Sequence, residues 1–256
     1  MDQKPSSYGN QFAFLTDENF LKQIRQAERV LKELKPILDL VASKEEGEDW
    51  KSRTLIPSLN KRSMQRNAKY GWTMAHQITL AKYFDTRDLE DCLDAFDSYF
   101  VSCYEENNQR LYQEQRNINL FEIDIKQRRI LEQCYTAYEQ EMYQIVIPSL
   151  LLLIEGVMAH LLDTNAFGGK LKEELKKLTD VDRELDDRES ILYSTTVFIT
   201  DHLFKKHDFL QERLEIINRN WILHGRDDPS KWTKADALRL FNVLSSLLFV
   251  LKEDIN

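Results

Sequence analysis

Between Ile145 and Leu162 the chain carries a single charged side chain, Glu155, in an otherwise apolar run. A segment this apolar either crosses a membrane or lies at the centre of a packed core. A carboxylate at mid-bilayer is costly, and Pro148, Gly156 and His160 interrupt the run further. The stretch therefore reads as a buried core helix around which the other elements pack. The rest of the chain suits that role, because 7 Gly and 5 Pro in 256 residues leave few sites for the tight turns of a β protein. The expected class is all-α, a helical bundle.

Apolar residues recur at helical spacing almost throughout. Residues Asp17 to Ala42 carry Phe20, Ile24, Leu31, Leu34 and Leu38 on one stripe after a Thr16 cap, with Pro36 bending or dividing the helix. Residues 43–66, with Gly47 and Pro57, read as a loop. A helix from Arg87 to Tyr104, capped by Asp85 or Thr86, is expected next. The polar tract Glu105 to Asn119 reads as a boundary, dividing an N-terminal helical extension of unknown role (1–120) from a helical domain (121–256). Beyond it, a long helix from Asp124 to Leu162, bent at Pro148, is followed by a stop at Asn165–Gly169 and a solvated helix over Lys170–Lys177. Another helix covers Glu189 to Phe204. A helix from Asp208 then ends before Gly225, and a Thr233-capped final helix, with Asp236 partly matching a capping box, carries Leu238, Phe241, Leu244 and Leu248.

The net charge of −8 disfavours broad, sequence-independent binding to nucleic acid, since phosphate repels an acidic chain at long range. Any such activity must rest on a local basic site. Cys92, Cys103 and Cys134 show no CxxC spacing, and the polar N-terminus MDQKPSSYGNQ has no apolar signal segment. Reduced thiols in the cytoplasm, and no membrane partner, are expected.

Chemistry concentrates in Asn218-Arg219-Asn220-Trp221-Ile222-Leu223-His224-Gly225. Arginine is a permanent cation shaped to bind phosphate, and histidine both gives and takes a proton near neutral pH. Charge stabilisation plus proton transfer is what breaking a phosphodiester without a metal requires. The spacing alone is unspecific. Five residues correspond to roughly 140° of helix rotation, so the two share a cleft only where the helix ends. On a purely structural reading, Arg219 pairs with Glu215 one turn earlier and His224 caps the helix as a cation.

Asn218-Arg219 and Ile222-Leu223-His224-Gly225, followed by a polar loop and an apolar final helix, resemble the signature of the HEPN superfamily, all-α proteins with an Arg-x4–6-His motif. Upstream, Tyr143 to Leu150 with Ile154-Glu155-Gly156 resembles the long core helix of bacterial members. The resemblance covers residues 121–252. It implies a metal-independent endoribonuclease in which two protomers line one composite cleft, with no cofactor. His224 is implied as general acid or base and Arg219 as the phosphate ligand. Asn220 is implied to orient His224 or donate to phosphate. It further implies a role as a toxin or anti-phage effector, with an antitoxin or other regulatory protein as a possible partner. Glu155, an acid inside an apolar run, must find a cationic or donor partner; Arg219 or His224 serves on the functional reading, another salt bridge or solvent on the structural one.

A weaker candidate for RNA contact is the basic cluster Lys61, Arg62, Arg66 and Lys69 beside Tyr70 and Trp72. Charge runs of this kind are more often solvated faces. Asp201-His202 and His207-Asp208 lack a recognised metal-ligand spacing and read as surface. His76 and His160 read as packing residues. The alternative overall reading is a non-catalytic helical module that binds a partner protein or a nucleotide with the same cleft.

Overall fold

The computed structural model describes residues 61–179 and 185–253, all within the unit Pro57–Asn256. The helix expected over residues 17–42 and most of the loop over 43–66 fall outside them. The described residues are all-α, with no strand among them. In chain order the helices are α1 (residues 61–69), α2 (Leu80–Phe84), α3 (Leu93–Glu122), α4 (Ile125–Glu139), α5 (Tyr143–Leu161), α6 (Gly169–Thr179), α7 (Asp187–Phe198), α8 (Arg219–Leu223) and α9 (Lys234–Glu253). Helix α7 runs on into a π-helical turn, Ile199–Leu203.

Helices α5 and α9 form the centre. Leu238, Phe241, Leu244, Leu247 and Leu248 of α9 are buried together with Ile147, Leu150, Leu151, Ile154 and Met158 of α5. Helix α9 is buried on nearly all sides, since α3, α5 and α7 all pack on it. Its N-terminus is fixed by a complete capping box, in which the Thr233 and Asp236 side chains each accept from the other's backbone N–H at 3.2 and 3.0 Å. Helix α5 is long and apolar enough to cross a membrane by length and composition, yet most of its apolar residues lie in this core. Its exposed strip carries Ile145 and Leu152.

Several boundaries differ from the sequence expectation. The end of the expected loop, residues 61–66, is helical. Helix α3 starts at Leu93, not Arg87, because Arg66 donates to the carbonyls of Thr86 and Leu89 at 2.7 Å each and holds that segment open. Thr86 caps nothing; its hydroxyl donates to Asn67 Oδ1 at 2.9 Å. The polar tract expected as a boundary belongs to α3, with a local break at Glu106–Gln109. Its Gln115 and Asn119 are buried and donate to Asn242 Oδ1 and the Phe241 carbonyl of α9. The packing therefore shows no break near residue 120, and residues 64–104 share one core with the rest of the unit.

The single helix expected from Asp124 to Leu162 is two. Helix α4 ends in a Schellman motif: Met142 N–H reaches the Ala137 carbonyl at 2.8 Å, Glu141 N–H reaches Tyr138 at 2.9 Å, and Glu141 takes φ 59°. Helix α5 then continues through Pro148. The lysine-rich α6 is only half solvated, burying Leu171 and Leu175. The helix expected from Asp208 shrinks to α8, for a reason that belongs to the site itself.

Arg239 joins residues 70–97 to α9. Its guanidinium is 1% exposed, pairs with Asp97 and with Asp236 (2.7 Å), donates to the Tyr70 carbonyl (2.9 Å) and lies over the Trp72 ring. Gly71 makes room for it. At φ +84° a side chain is strained, and a Cβ there would sit 2.5 Å from Arg239 Cδ.

Candidate functional site

Helix α8 is five residues long and is set by its two ends. At the N-terminus Asn218 Oδ1 accepts from Asn220 N–H at 3.1 Å and Trp221 N–H at 3.3 Å. Its Nδ2 donates the other way, to the carbonyls of Lys205 (2.9 Å) and His202 (3.3 Å). One buried amide thus starts the helix and ties it to the chain leaving the π-helical turn. Residues 205–218 stay irregular, because Trp221 Nε1 donates to the His207 carbonyl and Arg213 pairs with Asp227 at 2.6 Å. At the C-terminus Arg226 N–H reaches the Trp221 carbonyl at 2.7 Å and Gly225 takes φ +64°, completing a second Schellman motif with His224 as the cap.

The sequence-predicted residues divide into two groups. Glu155, Arg219 and Asn220 come together. Arg219 Nε donates to Glu155 Oε1 across the α5–α8 contact, and its Nη1 donates to Asn220 Oδ1 at 3.2 Å. The arginine and glutamate side chains are 14% and 16% exposed, screened from water but not sealed. The guanidinium also lies 5.6 Å from the centre of the Phe204 ring. Its remaining N–H groups have no hydrogen-bond partner among the described residues, so they are free to meet an anion. Glu215, the partner on the purely structural reading, is not the one used.

His224 stands apart. It is exposed at the other end of α8, its ring 5.9 Å from Phe209 in an edge-on contact; its backbone N–H reaches the Asn220 carbonyl at 3.1 Å, but among the described residues no hydrogen bond joins its ring to Arg219, Asn220 or Glu155. The Asn220 side chain accepts from the arginine, and its backbone carbonyl from the His224 N–H. Among the described residues, no side-chain hydrogen bond therefore links Arg219 and His224 within one copy of the chain.

Beside Arg219 an open groove of about 440 Å³ is lined by Pro148, Ser149, Leu152, Glu155, Arg219 and Leu223. Its rim is apolar. Ile145, Leu152 and Leu223 are 53%, 57% and 40% exposed on this side of α5 and α8.

The basic cluster is distributed along α1. Arg62 is exposed. Lys61 lies over the Tyr193 ring at 5.9 Å. Arg66 is occupied by the Thr86 and Leu89 carbonyls and by Asp91. Lys69 pairs with Asp91 at 3.0 Å and donates to the Tyr70 hydroxyl. Of the other histidines, His76 stacks on Phe249 at 4.7 Å and His207 Nε2 meets the Glu212 carbonyl at 2.7 Å. His202 is half-buried, and burial holds its pKa below the ordinary value.

Sequence reasoning missed the double role of Asn218. The signal was present, since Asn directly before a short apolar stretch is a preferred N-cap. Its second set of partners, thirteen and sixteen residues upstream, leaves no local pattern. No family model, curated protein or solved structure matches this chain.

Proposed function

We propose that the chain is a metal-independent endoribonuclease of HEPN type, working as a homodimer in the cytoplasm and serving as a toxin or anti-phage effector. The observation that carries this reading is the Arg219 guanidinium, held by Glu155 at Nε and by Asn220 at Nη1 in the wall of a groove open to solvent. A phosphate entering there exchanges water for a fixed cation in a partly desolvated setting, where charge stabilisation is strongest.

In the proposed reaction a neutral imidazole of His224 takes the proton of the ribose 2′-hydroxyl, and the 2′-oxygen attacks the adjacent phosphorus. Arg219 stabilises the extra negative charge of the five-coordinate species. The 5′-oxygen leaves with a proton from a second, protonated His224. The products are a 2′,3′-cyclic phosphate and a 5′-hydroxyl. One neutral imidazole cannot be base and acid in the same step, and among the described residues no side-chain hydrogen bond links His224 to Arg219 within one copy; both points support a cleft shared by two copies. The apolar rim of Ile145, Leu152 and Leu223 offers a surface for such a pairing. Glu155 acts as a positioning residue for Arg219.

The test is RNA cleavage in EDTA by wild type, Arg219→Ala and His224→Ala. The proposal expects activity in the first alone, and equal activity in all three removes it. The second reading, a non-catalytic module that binds a partner protein or nucleotide, is favoured by a groove lining that includes Arg219 and Leu223 but not His224. It expects a folded monomer that binds ligand through Arg219 without cutting RNA.

A further inference from the structure

A second cavity, of about 250 Å³, lies where the break in α3 meets the turn between α4 and α5. Its lining differs in kind from that of the Arg219 groove. Tyr112, Tyr138 and Tyr143 stand in succession, with ring centres 5.3 and 5.9 Å apart, and the buried Tyr104 lines it with them. Three carboxylates, Glu105, Glu139 and Glu141, share the wall. Glu139 accepts from the Tyr112 hydroxyl at 3.1 Å. Burial pushes the Tyr112 and Tyr138 hydroxyls up, so both rings remain neutral phenols.

Aromatic faces and carboxylates together favour one class of guest, an organic cation. Ring quadrupoles attract positive charge, and they do so most effectively where water is thinned out. The chain's own chemistry points the same way. Lys234 places its ammonium here, 2.7 Å from Glu105, and Glu105, followed by Tyr143 and Glu141, lifts its pKa despite partial burial. That lysine is 41% exposed, so it sits at the mouth rather than filling the cavity. The backbone around the cavity is also unusual. Gln109 and Glu141, both lining residues, hold φ 60° and 59°, a region that non-glycine residues visit at a cost.

We infer that the cavity bounded by Tyr112, Tyr138, Tyr143 and Glu105 is a binding site for a small organic ammonium ion, with Lys234 as its internal competitor. Primary and quaternary ammonium ions share the recognised chemistry, and the test separates them by using putrescine and choline as probes. The site is independent of the ribonuclease reading.

The experiment is calorimetric titration of the full chain with choline, with putrescine, and with 3,3-dimethylbutan-1-ol, the uncharged isostere of choline. Saturable binding of at least one ammonium ion is expected, with the uncharged alcohol weaker by about tenfold or more. Tyr143→Phe keeps the ring and retains binding, whereas Tyr143→Leu weakens it about tenfold. Lys234→Met tightens binding by removing the competitor, a gain that misfolding cannot mimic. The inference is overturned if neither ammonium ion binds, if the alcohol binds equally well, or if Lys234→Met leaves binding unchanged or weaker.

Discussion

Arg239→Met removes one cation from the buried junction between residues 70–97 and α9 while keeping an unbranched apolar stem. Three acceptors lose their partner: Asp236 and Asp97 as ion pairs, and the Tyr70 carbonyl as a hydrogen bond. Breaking a buried pair by deleting one member costs about 3–5 kcal/mol, because the remaining charge stays desolvated. Asp97 is 21% exposed and Asp236 keeps its cap contacts to Thr233, so water and the cap recover part of the loss. The lower end applies, about 3 kcal/mol. For a unit of this size that lowers Tm by about 6–12 °C. Urea denaturation followed by circular dichroism measures it. Adding Asp97→Asn to Arg239→Met should recover about 1 kcal/mol, since one stranded charge is then gone. A loss below about 1 kcal/mol for Arg239→Met would show that the guanidinium does not hold the junction.

Three further outcomes follow from the same geometry. Gly71→Ala combines a left-handed φ with a Cβ driven into the Arg239 stem, and should cost about 1–3 kcal/mol in the same denaturation assay. Glu141→Gly relieves a left-handed residue at the end of α4 and should raise stability by about 0.5–1 kcal/mol. His76 is half-buried against Phe249, and burial holds its pKa below 6.5, with Glu122 opposing and Lys252 reinforcing the shift. Its unfolded form takes up a proton that the folded form resists, so its contribution is present above pH 6.5 and is lost as pH falls towards the folded pKa. His76→Phe keeps the stack and should flatten that part of the stability–pH curve; an unchanged slope rejects the assignment.

The all-α class and the burial of the run Ile145–Leu162 were legible because helical periodicity is strong and turn residues are few. The end of α8 was legible for a local reason, since Gly225 occupies the left-handed position that glycine tolerates best. Helix α4 ends in the same motif, but with Glu141 in that position, and no residue type announces it. The start of α3 was hidden because Arg66, some twenty residues upstream, takes the carbonyls of Thr86 and Leu89. Residues 105–119 look like a linker because their polar side chains are as frequent as in one. Gln115 and Asn119 turn out to be buried partners of α9. At the site, Glu155 was singled out because a carboxylate in an apolar run must find a cation, and it finds Arg219. The position of His224 depends on where a five-residue helix stops and on Phe209, which the spacing does not encode.

The decisive measurement uses two matched oligonucleotides in EDTA, one all-ribose and one with a single 2′-deoxy substitution at the cut position, with products identified by mass spectrometry. The ribose strand is expected to be cut to a 2′,3′-cyclic phosphate and a 5′-hydroxyl, with the deoxy position spared. Cutting of both strands at the same position, or of neither, would contradict the ribonuclease reading.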